Sequence, residues 1–99
     1  MTDLKQLAED SFKSTLRRIG IFTKEYQLCK IIEEIKELES AVSDSEFNKS
    51  YLSRHCKELT RTAEELADVI LACLVFAERE NIDIEKALRI KNEFNKIRK

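Results

Sequence analysis

"EELADVILACLVF", residues 64–76, decides how this chain is read. From Leu66 to Ala77 nearly every side chain is apolar, which predicts a helix that is apolar all round and must be surrounded by other elements. Asp68 nevertheless lies inside the run, and Glu65 stands one turn before it. A charge in a buried helix is unfavourable unless a specific partner meets it, so this stretch poses the functional question as well as the structural one.

Working outward, the helix is expected from about Arg54 to Glu80, with Asn81 as a left-handed cap. Asp83 restarts a fourth helix through "IEKALRIKNEFNKIRK". Upstream, Leu4, Leu7, Ala8, Phe12, Leu16 and Ile19 form a stripe at helical spacing, capped by Thr2 or Asp3 and ended by Gly20. Thr23 caps a second helix that reaches about Ser43, with Leu28, Ile31, Ile35, Leu38 and Val42 as its core stripe. The segment "SDSEFNKSYLS" reads as a connection. The result is one all-α domain over residues 1–99, a four-helix bundle-like unit assembled as a dimer or dimer of dimers. A 99-residue monomer would leave much of the apolar run exposed, and a second copy would cover it.

Composition agrees, with no Pro and a single Gly in a chain rich in strong helix formers. The 18 basic residues are balanced by 19 acidic ones, which argues against a nucleic-acid partner. The polar start "MTDLKQLAED" is unlike a signal peptide, and no apolar stretch reaches the roughly 18 residues of a membrane span. A cytoplasmic protein with no membrane partner is expected. Cys29, Cys56 and Cys73 fit neither a disulfide framework nor a zinc site and read as buried reduced thiols.

The second helix carries "KIIEEIKEL", in which Lys30, Glu34 and Glu37 fall within roughly 60° of one another at about 100° per residue. That face borders the apolar stripe, and Gln27 lies on it. Arg61, Glu65 and Asp68 repeat the spacing on the next long helix. Packing the two helices together would gather Glu34, Glu37, Glu65 and Asp68, edged by Lys30 and Arg61. Such a cluster repels itself unless a cation compensates, and an all-oxygen donor set favours Mg²⁺, with Mn²⁺ as a substitute. The structural alternative is a set of ordinary helix-surface ion pairs with Lys30, Lys36 and Arg61, which would make the chain a non-catalytic helical interaction module. A di-iron bundle needs two E-x-x-H pairs, which the only histidine, His55, cannot supply.

Glu33-Glu34-Ile35-Lys36-Glu37 followed by Glu65-Leu66-Ala67-Asp68, an apolar helix, and then Lys91, Asn95 and Arg98 resembles the MazG-like branch of the all-α nucleoside triphosphate pyrophosphohydrolases. The resemblance spans roughly residues 27–98 and is more specific than either acidic motif alone. It implies hydrolysis of a nucleoside or deoxynucleoside triphosphate to the monophosphate and pyrophosphate. It further implies Mg²⁺ on Glu34, Glu37, Glu65 and Asp68, with Glu33 as an outer or water-orienting carboxylate acting in catalysis beside Glu34. Lys91, Asn95 and Arg98 would bind the phosphates, together with Lys30. Lys36 stands where relatives often carry glycine. No Trp is present to clamp a base; Phe12 and Phe22 are assigned to the core and Tyr51 is left open. A related enzyme that acts on phosphoribosyl-ATP shares this helical plan, so reaction type is better specified than substrate.

Overall fold

A computed structural model describes residues 3–43 and 56–98. The described chain forms four helices, as the periodicity predicts: α1 (Leu4–Ile19), α2 (Lys24–Ser43), α3 (Arg61–Arg79) and α4 (Ile84–Ile97). Most of the expected connection, with Phe47 and Tyr51, lies outside the described residues, as do Arg54 and His55. None of the described helices is long and apolar enough to cross a membrane.

The helix ends follow from local hydrogen-bond chemistry. The Asp3 carboxylate accepts from the Gln6 backbone N–H at 2.7 Å, and Thr23 does the same for Tyr26 at 3.0 Å. Asp83 caps α4 by accepting from Lys86 N–H at 3.1 Å. Asn81 adopts a φ of 56°, the left-handed conformation expected of it. The start of α3 differs from expectation. Thr60 accepts from Ala63 N–H at 3.2 Å, and a turn closed by Leu59 N–H on the Cys56 carbonyl precedes it, so the helix begins at Arg61 and not near Arg54. A side-chain cap outweighs helical propensity at that point.

Helices α1 and α2 both pack on α3, which is therefore the axis of the domain. Its later half is enclosed, with Ala72, Leu74, Val75 and Ala77 buried. Phe22, in the α1–α2 link, turns into this core, edge-on to Phe12 with ring centroids 5.8 Å apart. The Phe22 carbonyl accepts from Arg79 Nε at 2.9 Å, tying the link to the end of α3. Helix α4 meets α1 only lightly, and Leu88, Ile90 and Phe94 remain about half exposed.

Two faces depart from the expected core. On α2 the inward line is Gln27, Glu34 and Ala41, whereas Leu28, Ile35 and Val42 of the expected stripe are about half exposed. On α3, Leu66 and Ile70 are each 48% exposed, so one chain does not surround the whole helix. The cysteines also differ from the expected buried thiols: all three are exposed, and Cys29 and Cys73 are free.

Gly20 ends α1 with φ 76° and ψ −158°, a region that only glycine occupies without strain. An added Cβ would meet nothing within 4 Å, so a substitution is penalised through the backbone alone. Gly20→Ala is expected to lower stability by about 1–3 kcal/mol, read as a lower urea midpoint with an unchanged m-value.

Candidate metal centre

The pairing of α2 with α3 brings the acidic motifs together. Glu34, Glu37 and Glu65 each present a carboxylate oxygen, and these three oxygens lie within 4.8 Å of one another. Glu34 is buried, Glu65 half-buried and Glu37 exposed, so the group opens from the helix interface toward solvent. Asp68 is outside this group of three, but its charge acts on both Glu34 and Glu65.

The electrostatics show the cost of this arrangement. Burial holds the Glu34 carboxyl above its ordinary value; the hydrogen bond from Lys30 opposes this, while the charges of Glu37 and Asp68 reinforce it. Glu65 is likewise raised, by burial first and then by Glu37 and Asp68. Lys30 Nζ stands 3.2 Å from Glu34 Oε1 and 3.7 Å from Glu33 Oε2, and its hydrogen bond to Glu34 raises its own pKa. One cation thus offsets part of the repulsion. It leaves Glu34 Oε2 and Glu65 Oε2 buried with no hydrogen-bond partner.

Two orphaned buried oxygens on facing helices are the feature a divalent cation would satisfy, and an all-carboxylate donor set suits a hard ion. The residues present therefore fit a metal. Surface ion pairing alone would not draw these oxygens out of water without a partner.

Beside the carboxylates lies an open cleft of about 590 Å³ lined by α1, α2 and α3. Lys30, Glu34 and Asp68 form one part of its wall, and Arg18, Tyr26 and Gln27 contribute to the rest. Ser11, Ser14 and Thr15 add hydroxyls from α1. Thr15 Oγ1 donates to the Ser11 carbonyl at 2.9 Å and accepts from Arg18 at 3.3 Å. This α1 wall escaped the sequence reading, which followed only the apolar stripe of that helix. The signal was present, since Ser11, Ser14, Thr15 and Arg18 recur at helical spacing on one face.

The remaining expected site residues are not gathered here. Glu33 points outward, its side chain 65% exposed. Lys91, Asn95 and Arg98 are exposed on α4 or at its end and do not line this cavity. Lys91 Nζ instead lies 4.5 Å from the centre of the Phe94 ring.

No curated protein and no solved structure matches the chain. The family described as phosphoribosyl-ATP pyrophosphohydrolase matches residues 3–95. This family lies within the all-α nucleoside triphosphate pyrophosphatase superfamily to which the MazG-like proteins belong, so the resemblance holds at the level of the superfamily. From Asp3 through both acidic motifs and most of α4, the chain belongs to the phosphoribosyl-ATP pyrophosphohydrolase family, whose members hydrolyse a pyrophosphate bond.

Proposed function

We propose that this chain is a Mg²⁺-dependent hydrolase that adds water across the α–β phosphate bond of a nucleotide, giving the monophosphate and pyrophosphate. Phosphoribosyl-ATP is the first candidate substrate, since the matched family is described by it. Nucleoside and deoxynucleoside triphosphates, the substrates implied by the MazG-like resemblance, are the second. The observation that carries the reading is the convergence of carboxylate oxygens from Glu34, Glu37 and Glu65 within 4.8 Å of one another, beside a cleft that Glu34 lines. The alternative of structural ion pairs is served by Lys30 but leaves both orphaned oxygens unexplained.

Glu34, Glu37 and Glu65 would hold the cation, with Asp68 completing the acidic wall. When bound, Mg²⁺ supplies charge withdrawal from the phosphates and a more acidic water. The chain's own residues do the rest. Lys30, kept protonated by its carboxylate neighbours, offers a positive group to the phosphate chain at the cavity wall. Arg18 offers a second. Glu33, which points outward beside Lys30, would orient a water or take up its proton only from the outer edge of the cluster. Lys91, Asn95 and Arg98, as phosphate ligands, would act from α4 of a second copy, since they do not line their own chain's cavity.

Self-association is part of the proposal. Leu66 and Ile70 on α3 and Leu28, Ile32 and Ile35 on α2 form half-exposed apolar faces in the single chain. Light scattering is expected to give a dimer or tetramer at micromolar concentration, and Ile70→Glu to shift it toward monomer. A wild-type monomer at that concentration would remove this part of the reading.

Protonation and metal binding compete for the same carboxylates. Glu34 and Glu65 bind protons more tightly folded than unfolded, so without metal their contribution to stability is largest at acid pH. It is lost as pH rises from the ordinary value of 4.5 through their raised folded values. Stabilisation by Mg²⁺ should therefore grow with pH across that window, measured as the difference in Tm with and without the ion. Glu65→Gln removes one buried charge, so at pH 8 it should raise the metal-free Tm while shrinking the Mg²⁺ increment.

Pyrophosphate release from a panel containing phosphoribosyl-ATP and the nucleoside triphosphates tests the reaction. Glu34→Gln is expected to lower kcat/KM by about 100-fold or more, the upper end of what even outer-shell substitutions cost. No turnover on any member of the panel, with no thermal shift from Mg²⁺ plus nucleotide, would return the chain to the interaction-module reading.

A further inference from the structure

Gln27 lies on the inward line of α2, seven residues before Glu34 and so about 10 Å away along the axis. Its side chain is 2% exposed and lines the same cavity as the carboxylates. Nε2 donates to the Ala72 carbonyl of α3 at 2.9 Å. A carbonyl can only accept, so this contact settles the orientation of the amide: the NH₂ faces α3, and Oε1 is committed to accepting. Oε1 is buried and has no hydrogen-bond partner. An unsatisfied acceptor in a core costs free energy that a ligand donor would recover.

We infer that Gln27 is a specificity-determining residue whose Oε1 accepts a hydrogen bond from an N–H or O–H of the nucleoside half of the substrate. This rests on the nucleotide reading above. Phosphate oxygens are acceptors at neutral pH and gain nothing from a second acceptor, so the group recognised here carries a hydrogen. The position agrees with that chemistry. With the reacting phosphates at Glu34, two helical turns from Gln27, and Lys30 lying between the two, the base or sugar falls at the Gln27 end. Tyr26, adjacent in sequence and 46% exposed, lines the same cavity and offers a ring face to a base.

The test pairs a variant with a set of substrates. For wild type and Gln27→Met, kcat/KM is measured with the preferred nucleotide and with analogues that each lose one donor: a base methylated at its amino or imide nitrogen, a 2′-deoxy sugar and a 3′-deoxy sugar. One analogue is expected to lose about tenfold or more in wild type. In Gln27→Met the parent nucleotide should already have lost that factor, and the same analogue should cost nothing further. A merely structural role predicts one factor common to all substrates, and that result overturns the inference while leaving the hydrolase reading intact. Should Gln27→Met not fold, Gln27→Asn keeps an amide but withdraws Oε1 by one bond, and it must show the same collapse of discrimination. If wild type hydrolyses none of the nucleotides, the series is repeated as Kd values for the monophosphates. Coupling there keeps the inference and drops the hydrolase reading; uniform losses, or no binding, overturn the inference.

Discussion

Two buried carboxylate oxygens, one on α2 and one on α3, that no donor meets constrain the rest of this domain. Withdrawing an ionised carboxylate from water costs several kcal/mol, and a second one nearby adds repulsion. A chain that carries this cost must gain something elsewhere, or it would be more stable with apolar residues at both positions. The ammonium of Lys30 reaches one oxygen of Glu34 closely, at 3.2 Å, and leaves its other oxygen unmet. In the proposed reading a divalent cation meets that second oxygen.

The same constraint explains why α2 has an unusual orientation. If its apolar stripe faced α3, Glu34 would sit at the margin and its oxygens would be hydrated. Turning Gln27, Glu34 and Ala41 inward places the carboxylate against α3, but it moves Leu28, Ile32 and Ile35 to the flank. The apolar flank follows from the position of the carboxylates. Catalytic cluster and self-association surface, in the proposed reading, are consequences of one rotation of one helix.

This is also where sequence reasoning reached its limit. Helix ends were legible because Asp3, Thr23, Asn81 and Asp83 act through contacts a few residues away. The convergence of Glu34, Glu37 and Glu65 was legible because the spacing of Lys30, Glu34 and Glu37 recurs in Arg61, Glu65 and Asp68 on the next long helix, although Asp68 itself stays outside the group of three. The inward line of α2 was not legible, since hydrophobic periodicity assumes that the most apolar face is the one a chain buries in itself. Here Gln27, Glu34 and Ala41 take the inward line while Leu28, Ile35 and Val42 stay half exposed, so that assumption fails. The α3 start was missed because Thr60 stops the helix from extending toward Arg54 through a contact that propensity does not weigh. On α1, the hydroxyls of Ser11, Ser14 and Thr15 lie off the apolar stripe, and their meaning depends on which helix they face.

Gln27 carries the argument one step further along the same line. Ala41 lies on this line fully buried, and a small apolar side chain there raises no question of polar satisfaction. Glu34 introduces a charge with one oxygen unmet, and Gln27 a neutral amide with its donor side met and its acceptor side unmet. The two unmet groups differ in what they can take: a carboxylate accepts a cation, whereas an amide oxygen accepts a hydrogen-bond donor. A divalent ion held on a nucleotide's phosphates supplies positive charge at that end, and the nucleoside end presents N–H or O–H groups. The order of unmet groups along α2 matches the order of complementary groups along such a substrate. A purely structural helix would have no reason to hold either group unpaired, or to space them by two turns beside one cavity.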